Sequence, residues 1–293
     1  MKLSVVITCF NAWEHVAQSL SYLTQNGNAN IISEIILIDD ASTVLPNIPF
    51  DKYDHLQLVR NTQNMGYVAS VNKGCKMASG NLILLLDADA YVLSSLNDLL
   101  LVFQAKPSLG LVSFAVVNQW GQTAGKMEQA PGLLSIILGQ KLEAKWRNYF
   151  KGSEKSACYY SFAIAFRKTV FEEFEGFDES FDFLDADIDF SIRFHQSQKW
   201  DSENISSILI QHDGGGSPQS TSKRVIRFYY NRIRLLKKNN NKWLVKVAIV
   251  LAWVRLVVEY FILKWGVKGN SEAVRIDKIN GRKYLIKNLL YQL

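Results

Sequence analysis

The chain is poor in the residues that staple small exported proteins. Its 293 residues hold three cysteines, Cys9, Cys75 and Cys158, widely spaced. That spacing argues against a disulfide framework and a zinc cluster, and it fits a reducing compartment. No internal repeat and no low-complexity tract is present. With 20% charged and 48% hydrophobic residues the composition is globular rather than disordered. The length fits one large domain or a domain with an appendage. The opening stretch MKLSVVITCFN is too short in apolar length for a secretory signal and reads as a strand, so the expected location is cytoplasmic.

The net charge of +6 hides a split. From Ser222 onward there are 17 Lys/Arg against 3 Asp/Glu, or +14; the first 221 residues hold 16 basic and 24 acidic, or −8. The expected domains are therefore 1–221, an α/β body, and 222–293, a helical basic tail. A basic tail is attracted to polyanions, although a solvated helical surface reads the same way. The acidic body argues against nucleic acid. Within the tail, Trp243 to Trp265 is apolar and long enough to span a bilayer, but it carries Lys246, Arg255, Glu259 and Lys264. A charge at the membrane centre costs about 2.5–3.5 kcal/mol on insertion scales. Arg255 and Glu259 are spaced to pair at i, i+4, and the charges do not gather on one helical face. The preferred expectation is an interfacial or re-entrant helix on an anionic membrane surface, peripheral on the inner face of the cell membrane. The alternative is a helix packed on the body or across a homo-oligomer.

Along the body, apolar runs alternate with helical periodicity. Leu3–Thr8, Glu34–Ile38, His55–Val59, Asn81–Leu86, Leu109–Val117, Ala157–Phe166 and Ser207–His212 read as strands. Asn11–Gln25, Gly66–Ala78, Leu96–Ala105 and Lys168–Phe174 read as helices. This alternation predicts a largely parallel sheet with right-handed crossovers, and ligands gather at the carboxyl ends of such strands. Thr8, Asp39, Asp40, Asp87 and Asp89 all fall at those ends. The stretch from Gln119 to Lys155 reads as irregular; its apolar patch Leu133–Leu138 fits either a substrate contact or a surface excursion.

Three clusters carry chemistry. Leu82–Leu86 runs into Asp87-Ala88-Asp89, two carboxylates at i, i+2 and hence on one face of an extended segment. Such hard oxygen ligands suit Mn²⁺ or Mg²⁺, ions that bridge to phosphates; a capped turn is the plainer alternative. Asp185, Asp187 and Asp189 open an amphipathic helix. The macrodipole accounts for one or two of them, and a third leaves a candidate general base. Asp187 is the choice, with Asp185 and Asp189 as rivals. His212 ends a strand before Asp213-Gly214-Gly215-Gly216. It reads either as a structural hydrogen bonder or as an imidazole completing a Mn²⁺ shell, and the glycines let backbone approach a phosphate. Beyond it, Lys223, Arg224 and Arg227 can neutralise a diphosphate.

Taken in order, LSVVITCFN, EIILIDDAST, NTQNMGYVASVNKGCKMASG, LILLLDADA, EGFDESFDFLDADIDFSIRF and HDGGGS resemble the family-2 glycosyltransferases, inverting enzymes of the GT-A fold. The resemblance covers about Met1 to Ser217. It implies an α/β, GT-A, mostly parallel sheet flanked by helices, with the basic helical appendage after it. The implied reaction moves a sugar from a nucleotide-sugar donor to a glycan or lipid-linked acceptor, as in bacterial surface-polysaccharide assembly, with a leaning toward rhamnosyl-type members. Thr8 and Asp40 would meet the base, Asp39 the nucleoside, and Asp87 the ribose or the metal. Asn64, Gly66, Asn72, Lys223 and Arg224 would complete the donor site. Asp89 and His212 would hold the metal, Asp187 would be the base, and Asp185 and Phe162 would face the acceptor. Three positions depart from the family pattern: Ala186 replaces the Glu before the base, Glu175 replaces the first Gly of "GGFDE", and the bulky Tyr159-Tyr160-Ser161-Phe162 stands where the acceptor loop has small residues. Rival readings are a sugar nucleotidyltransferase, which would release pyrophosphate, and a non-catalytic sugar- or lipid-binding module.

Overall fold

All seven residues of β1 (Leu3–Cys9) are buried. A run buried on both faces is satisfied only in the middle of a sheet covered on both sides. In the computed structural model, which describes residues 1–53, 55–124, 128–139, 142–143, 145, 157–214, 221–265 and 272–293, β1 lies between β2 (Ile32–Asp39) and β4 (Leu82–Asp87), parallel to both. β3 (Leu56–Arg60) extends the parallel set beyond β2. α1 (Trp13–Leu23) follows β1 and buries Trp13, Val16, Leu20 and Leu23. α2 (Tyr67–Met77) connects β3 to β4 and packs tightly on β1 and β2; a Cβ at Gly74 would lie 2.5 Å from Val6 Cγ1, so only glycine lets this helix approach so closely.

On the far side of β4 the sheet mixes direction. Three-residue β5 (Ala90–Val92), α3 (Asn97–Ala105) and β6 (Leu109–Val117) follow β4 in the chain. The short β7 (Glu128–Gln129), α4 (Leu134–Leu138) and β8 (Ala157–Cys158) come next, then β9 (Ala163–Arg167), α5 (Lys168–Glu173), α6 (Ala186–Ser197) and β10 (Asp201–His212). The eight-stranded order is β3-β2-β1-β4-β9-β6-β10-β5. β9 is antiparallel to β4 and β6, and β5 is antiparallel to β10, so six of the eight strands share one direction. This is the expected mostly parallel α/β sheet.

Three details differ from the sequence reading. Ala157–Phe166 is two strands, because Tyr159–Phe162 leaves the ladder before β9 begins. β10 starts at Asp201 rather than Ser207; its polar first residues pair with β6 at the sheet margin, where alternation with a buried face is lost. β5 is too short to show periodicity.

The chain forms two compact units, residues 1–128 with 157–216, and residues 129–156 with 217–293. The apolar patch at 133–138 therefore belongs with the basic tail, as α4, and not with the body. In the second unit α4 packs on α7 (Thr221–Asn239) and α8 (Lys242–Trp265), and α9 (Glu272–Asn288) packs on both of these. Arg255 pairs with Glu259 at 3.1 Å, as the i, i+4 spacing anticipates, and donates to the Leu138 carbonyl at 2.9 Å. Glu259 also holds Arg282 at 3.2 Å. Among the described residues no helix is long and apolar enough to cross a membrane.

Candidate active site

The register of the first unit brings its acids together. Thr8 is paired with Ile38 on one side and Asp87 on the other, and Cys9 is paired with Asp39. The carboxyl ends of β1, β2 and β4 thus lie side by side, as the strand topology requires. Asn11, just beyond β1, has its side-chain oxygen bonded to the Thr43 N–H at 2.8 Å, which ties the first strand-end loop to the second.

β4 ends on Asp87, the turn after it carries Asp89, and antiparallel pairing of β10 with β5 sets His212 opposite Ala90. One ligand atom from each of Asp87, Asp89 and His212 lies within 4.8 Å of the others. His212 Nε2 is 3.4 Å from Asp89 Oδ1, and the imidazole stacks on Phe162 with centroids 4.2 Å apart and planes 6° apart. The ring is thereby fixed with Nε2 toward the carboxylates. Two carboxylates and an imidazole are a donor set suited to Mn²⁺ or Mg²⁺.

Burial, and then the Asp89 charge, push the Asp87 carboxyl up to about 6. Burial is the largest influence on Asp89 and works against its charge, but the bond and the charge of His212, together with a backbone N–H and the charge of His15, outweigh it and hold Asp89 below the usual range. For His212, burial opposes the cation, yet the Asp89 bond and the surrounding Asp87 and Asp213 charges raise its pKa.

Asp187 sits on the first turn of α6. It accepts from the Ile188 N–H at 2.9 Å and from the Ser161 N–H at 3.3 Å. Burial, and then the neighbouring Asp185 charge, push it up to about 7. Its rival Asp189 is 1% exposed and bonded to Arg193 Nε at 2.8 Å, while Arg193 also reaches the Gly176 carbonyl at 2.9 Å. Asp189 thus fastens α6 to the loop before it. Asp185 is buried at the helix N-cap with a left-handed backbone, φ 69°.

The sequence reading missed the residue that links the two halves. Tyr67 OH donates to Asp87 Oδ1 at 2.7 Å and lies 3.0 Å from Ser161 Oγ. One hydrogen-bonded path therefore runs Asp87, Tyr67, Ser161, Asp187. A tyrosine at a helix start inside an apolar-periodic segment reads as packing, so only its place directly after Gly66 hinted at a role.

The remaining candidates fall into different places. Both Asp40 oxygens are taken by the loop before α2: Oδ1 accepts from Asn61 Nδ2 at 2.8 Å and Met65 N at 2.7 Å, and Oδ2 from Gly66 N at 2.9 Å. Gly66 has φ +89°, a conformation that favours glycine. Asp39 accepts from Ser42 N at 2.9 Å and faces Arg60 at 3.4 Å. Asn64 is exposed on the same loop. Asn72 differs from the donor-site expectation: it is 2% exposed, and both its N–H groups are taken, by the Phe177 carbonyl at 2.8 Å and Glu179 at 2.9 Å. Its oxygen accepts from Phe177 N at 2.9 Å, so it is a buried tie between α2 and the 176–179 loop. Phe162, expected at the acceptor, is the platform under His212. Lys223 and Arg224 lie on α7 in the second unit. Gly215 and Gly216 lie outside the described residues.

The family model described as glycosyl transferase family 2 matches residues 4–174. A poly(ribitol-phosphate) beta-glucosyltransferase of Bacillus spizizenii is 29% identical over 137 residues, which is 45% of this chain and 20% of that protein. An uncharacterized glycosyltransferase of Haemophilus influenzae is 30% identical over 91 residues, 30% of this chain and 28% of its own length. The chain thus spans under a third of either curated relative. Among solved structures, a mannosyltransferase from Pyrobaculum calidifontis in complex with GDP-Man and Mn²⁺ aligns over 99% of this chain and 84% of its own, with TM-score 0.57 and 15% identity. Residues 1–349 of S. aureus TarS in complex with UDP align over 100% and 92%, with TM-score 0.56 and 13% identity. These two likenesses speak to the fold.

Proposed function

This chain belongs to glycosyl transferase family 2, and from that premise we propose that it moves a sugar from a nucleoside-diphosphate donor to a hydroxyl of a glycan or lipid-linked acceptor, with inversion at the anomeric carbon. The observation that carries this reading is the hydrogen-bonded path joining a metal-type cluster, Asp87, Asp89 and His212, to a carboxylate poised near neutrality, Asp187.

Asp87, Asp89 and His212 would hold Mn²⁺ or Mg²⁺, which supplies positive charge to a departing diphosphate. The GDP-Man and Mn²⁺ of the Pyrobaculum calidifontis structure and the UDP of TarS support a nucleotide donor and a divalent ion. Thr8, Asp39 and exposed Asn64 are assigned to the nucleoside end. Asp40 shapes the loop that presents Gly66 and Tyr67. Asp187 takes the proton of the attacking hydroxyl as that oxygen bonds to the anomeric carbon and the bond to the diphosphate oxygen breaks. The proton ends on Asp187, and the leaving electron pair ends on the nucleoside diphosphate. A carboxylate with a pKa near the working pH is well matched to that task. Burial, and then the negative charge of Asp185, keep it there.

The test is turnover of a panel of nucleotide sugars, including UDP-linked sugars and dTDP-rhamnose, with and without Mn²⁺. Release of nucleoside diphosphate that needs Mn²⁺, with the product's anomeric configuration inverted by NMR, supports the reading. Release of inorganic pyrophosphate, or full turnover in Asp187→Asn, overturns it.

A further inference from the structure

The long helix of the second unit is apolar on two opposite sides. Val245, Ala248, Ile249, Ala252 and Leu256 on α8 are buried against its neighbours. At about 100° per residue these occupy one side. The opposite sector of about 120° holds ten residues from Trp243 to Trp265, and every one is apolar and at least 37% exposed. Val247, Val250, Val254, Val258 and Phe261 mark its centre line, while Trp243 at 68% and Trp265 at 81% exposure stand at its ends. The charges that blurred the pattern in the sequence lie off this sector. Arg255 and Glu259 turn inward to Leu138 and Arg282, and exposed Lys242, Lys246 and Lys264 flank the stripe on one side. A continuous apolar face of this length is not left to water without a partner.

We propose that this face of α8 is a docking surface for an anionic lipid bilayer, with the helix lying in the interfacial plane and not across it. Charge decides between a membrane and a second copy of the chain. The segment from Ser222 onward carries +14, so two such faces would meet with like charge, whereas anionic headgroups complement it. The opposite side of α8 is already covered by protein, which leaves one face to enter the headgroup–acyl boundary. Tryptophans at both ends and lysines along the flank suit that depth. The proposal stands apart from the transferase reading and is tested without activity.

The experiment is co-sedimentation of the full chain with vesicles of phosphatidylcholine alone and of phosphatidylcholine with roughly 30% phosphatidylglycerol, at low and high salt, paired with analytical ultracentrifugation. Binding at least about tenfold stronger to the anionic vesicles, and weakened by salt, is expected. The double variant Val254→Asp, Val258→Asp should lose about tenfold or more of that binding while helical circular dichroism and Tm stay unchanged. Should that variant misfold, Lys242→Glu with Lys246→Glu and Lys264→Glu, which leaves the stripe intact, should remove the preference for phosphatidylglycerol. Absence of anionic-vesicle binding in the parent chain, or unchanged binding in the folded variants, overturns the proposal. So does a dimer that the aspartate variant converts to monomer.

Discussion

At Asp187 the demand for a base near neutrality opposes the demand for a stable fold. Its pKa of about 7 lies above the ordinary 3.8, so the folded chain holds this proton more tightly than the unfolded one. Its contribution to stability is present at low pH and is lost as pH rises through about 7. Asp187→Asn is therefore expected to abolish transfer and yet raise Tm by a few degrees at pH 8, with a smaller gain at pH 5 and none below about pH 3.8; scanning calorimetry across this pH range checks this. The same shift predicts that kcat of the parent falls as pH drops below about 7, where the base becomes protonated. Tyr67 acts one step away, as a positioning residue. Tyr67→Phe keeps the ring against Phe183 but removes the bridge between Asp87 and Ser161. Expected is a kcat loss of roughly tenfold or more, with little change in donor KM and a displaced acid limb in the pH–rate profile. A purely structural tyrosine would leave that limb in place.

At the scale of elements, the loops that enter α2 and α6 are held by buried side chains rather than by ligand. Asn72→Ala removes three hydrogen bonds to the 176–179 loop and leaves Phe177 N and O unpaired, a cost of about 2–3 kcal/mol. Urea denaturation should show that loss while donor affinity in the remaining folded protein is unchanged. Glu175 has φ 57° and Gly176 φ 73° where α5 ends, so a side chain occupies a left-handed position that suits glycine. Glu175→Gly is expected to be neutral or to stabilise by up to about 1 kcal/mol in the same assay.

These elements also show what the sequence made legible. Buried strands such as β1 and β4 announce themselves as unbroken apolar runs, and their Asp-rich ends follow from topology. The acids of α6 were visible as a cluster, but their division of labour was not. Only the structure shows Asp189 paired with Arg193 and Asp187 facing Ser161. Tyr67 and Ser161 are separated by 94 positions, and no local pattern reveals such a contact. α8 misled for a related reason: with two apolar faces, its amphipathic signal cancels until the buried face is known.

At the scale of the whole molecule, the chain divides into an acidic compact unit, residues 1–128 with 157–216, and a basic one, residues 129–156 with 217–293. The acidic unit carries the strand-end cluster, and the basic unit carries α8. Residues 129–156 group with the second unit, which a boundary drawn on charge alone cannot show. The central claim rests on the acidic unit, namely that Asp87, Asp89 and His212 form a divalent-cation site serving a nucleotide donor. Titration of Mn²⁺ followed by electron paramagnetic resonance, with UDP or GDP present, addresses it most directly. One bound Mn²⁺ per chain is expected, lost in Asp89→Asn and weakened in His212→Ala. Mn²⁺ bound equally well by parent and Asp89→Asn, or by neither, would contradict it.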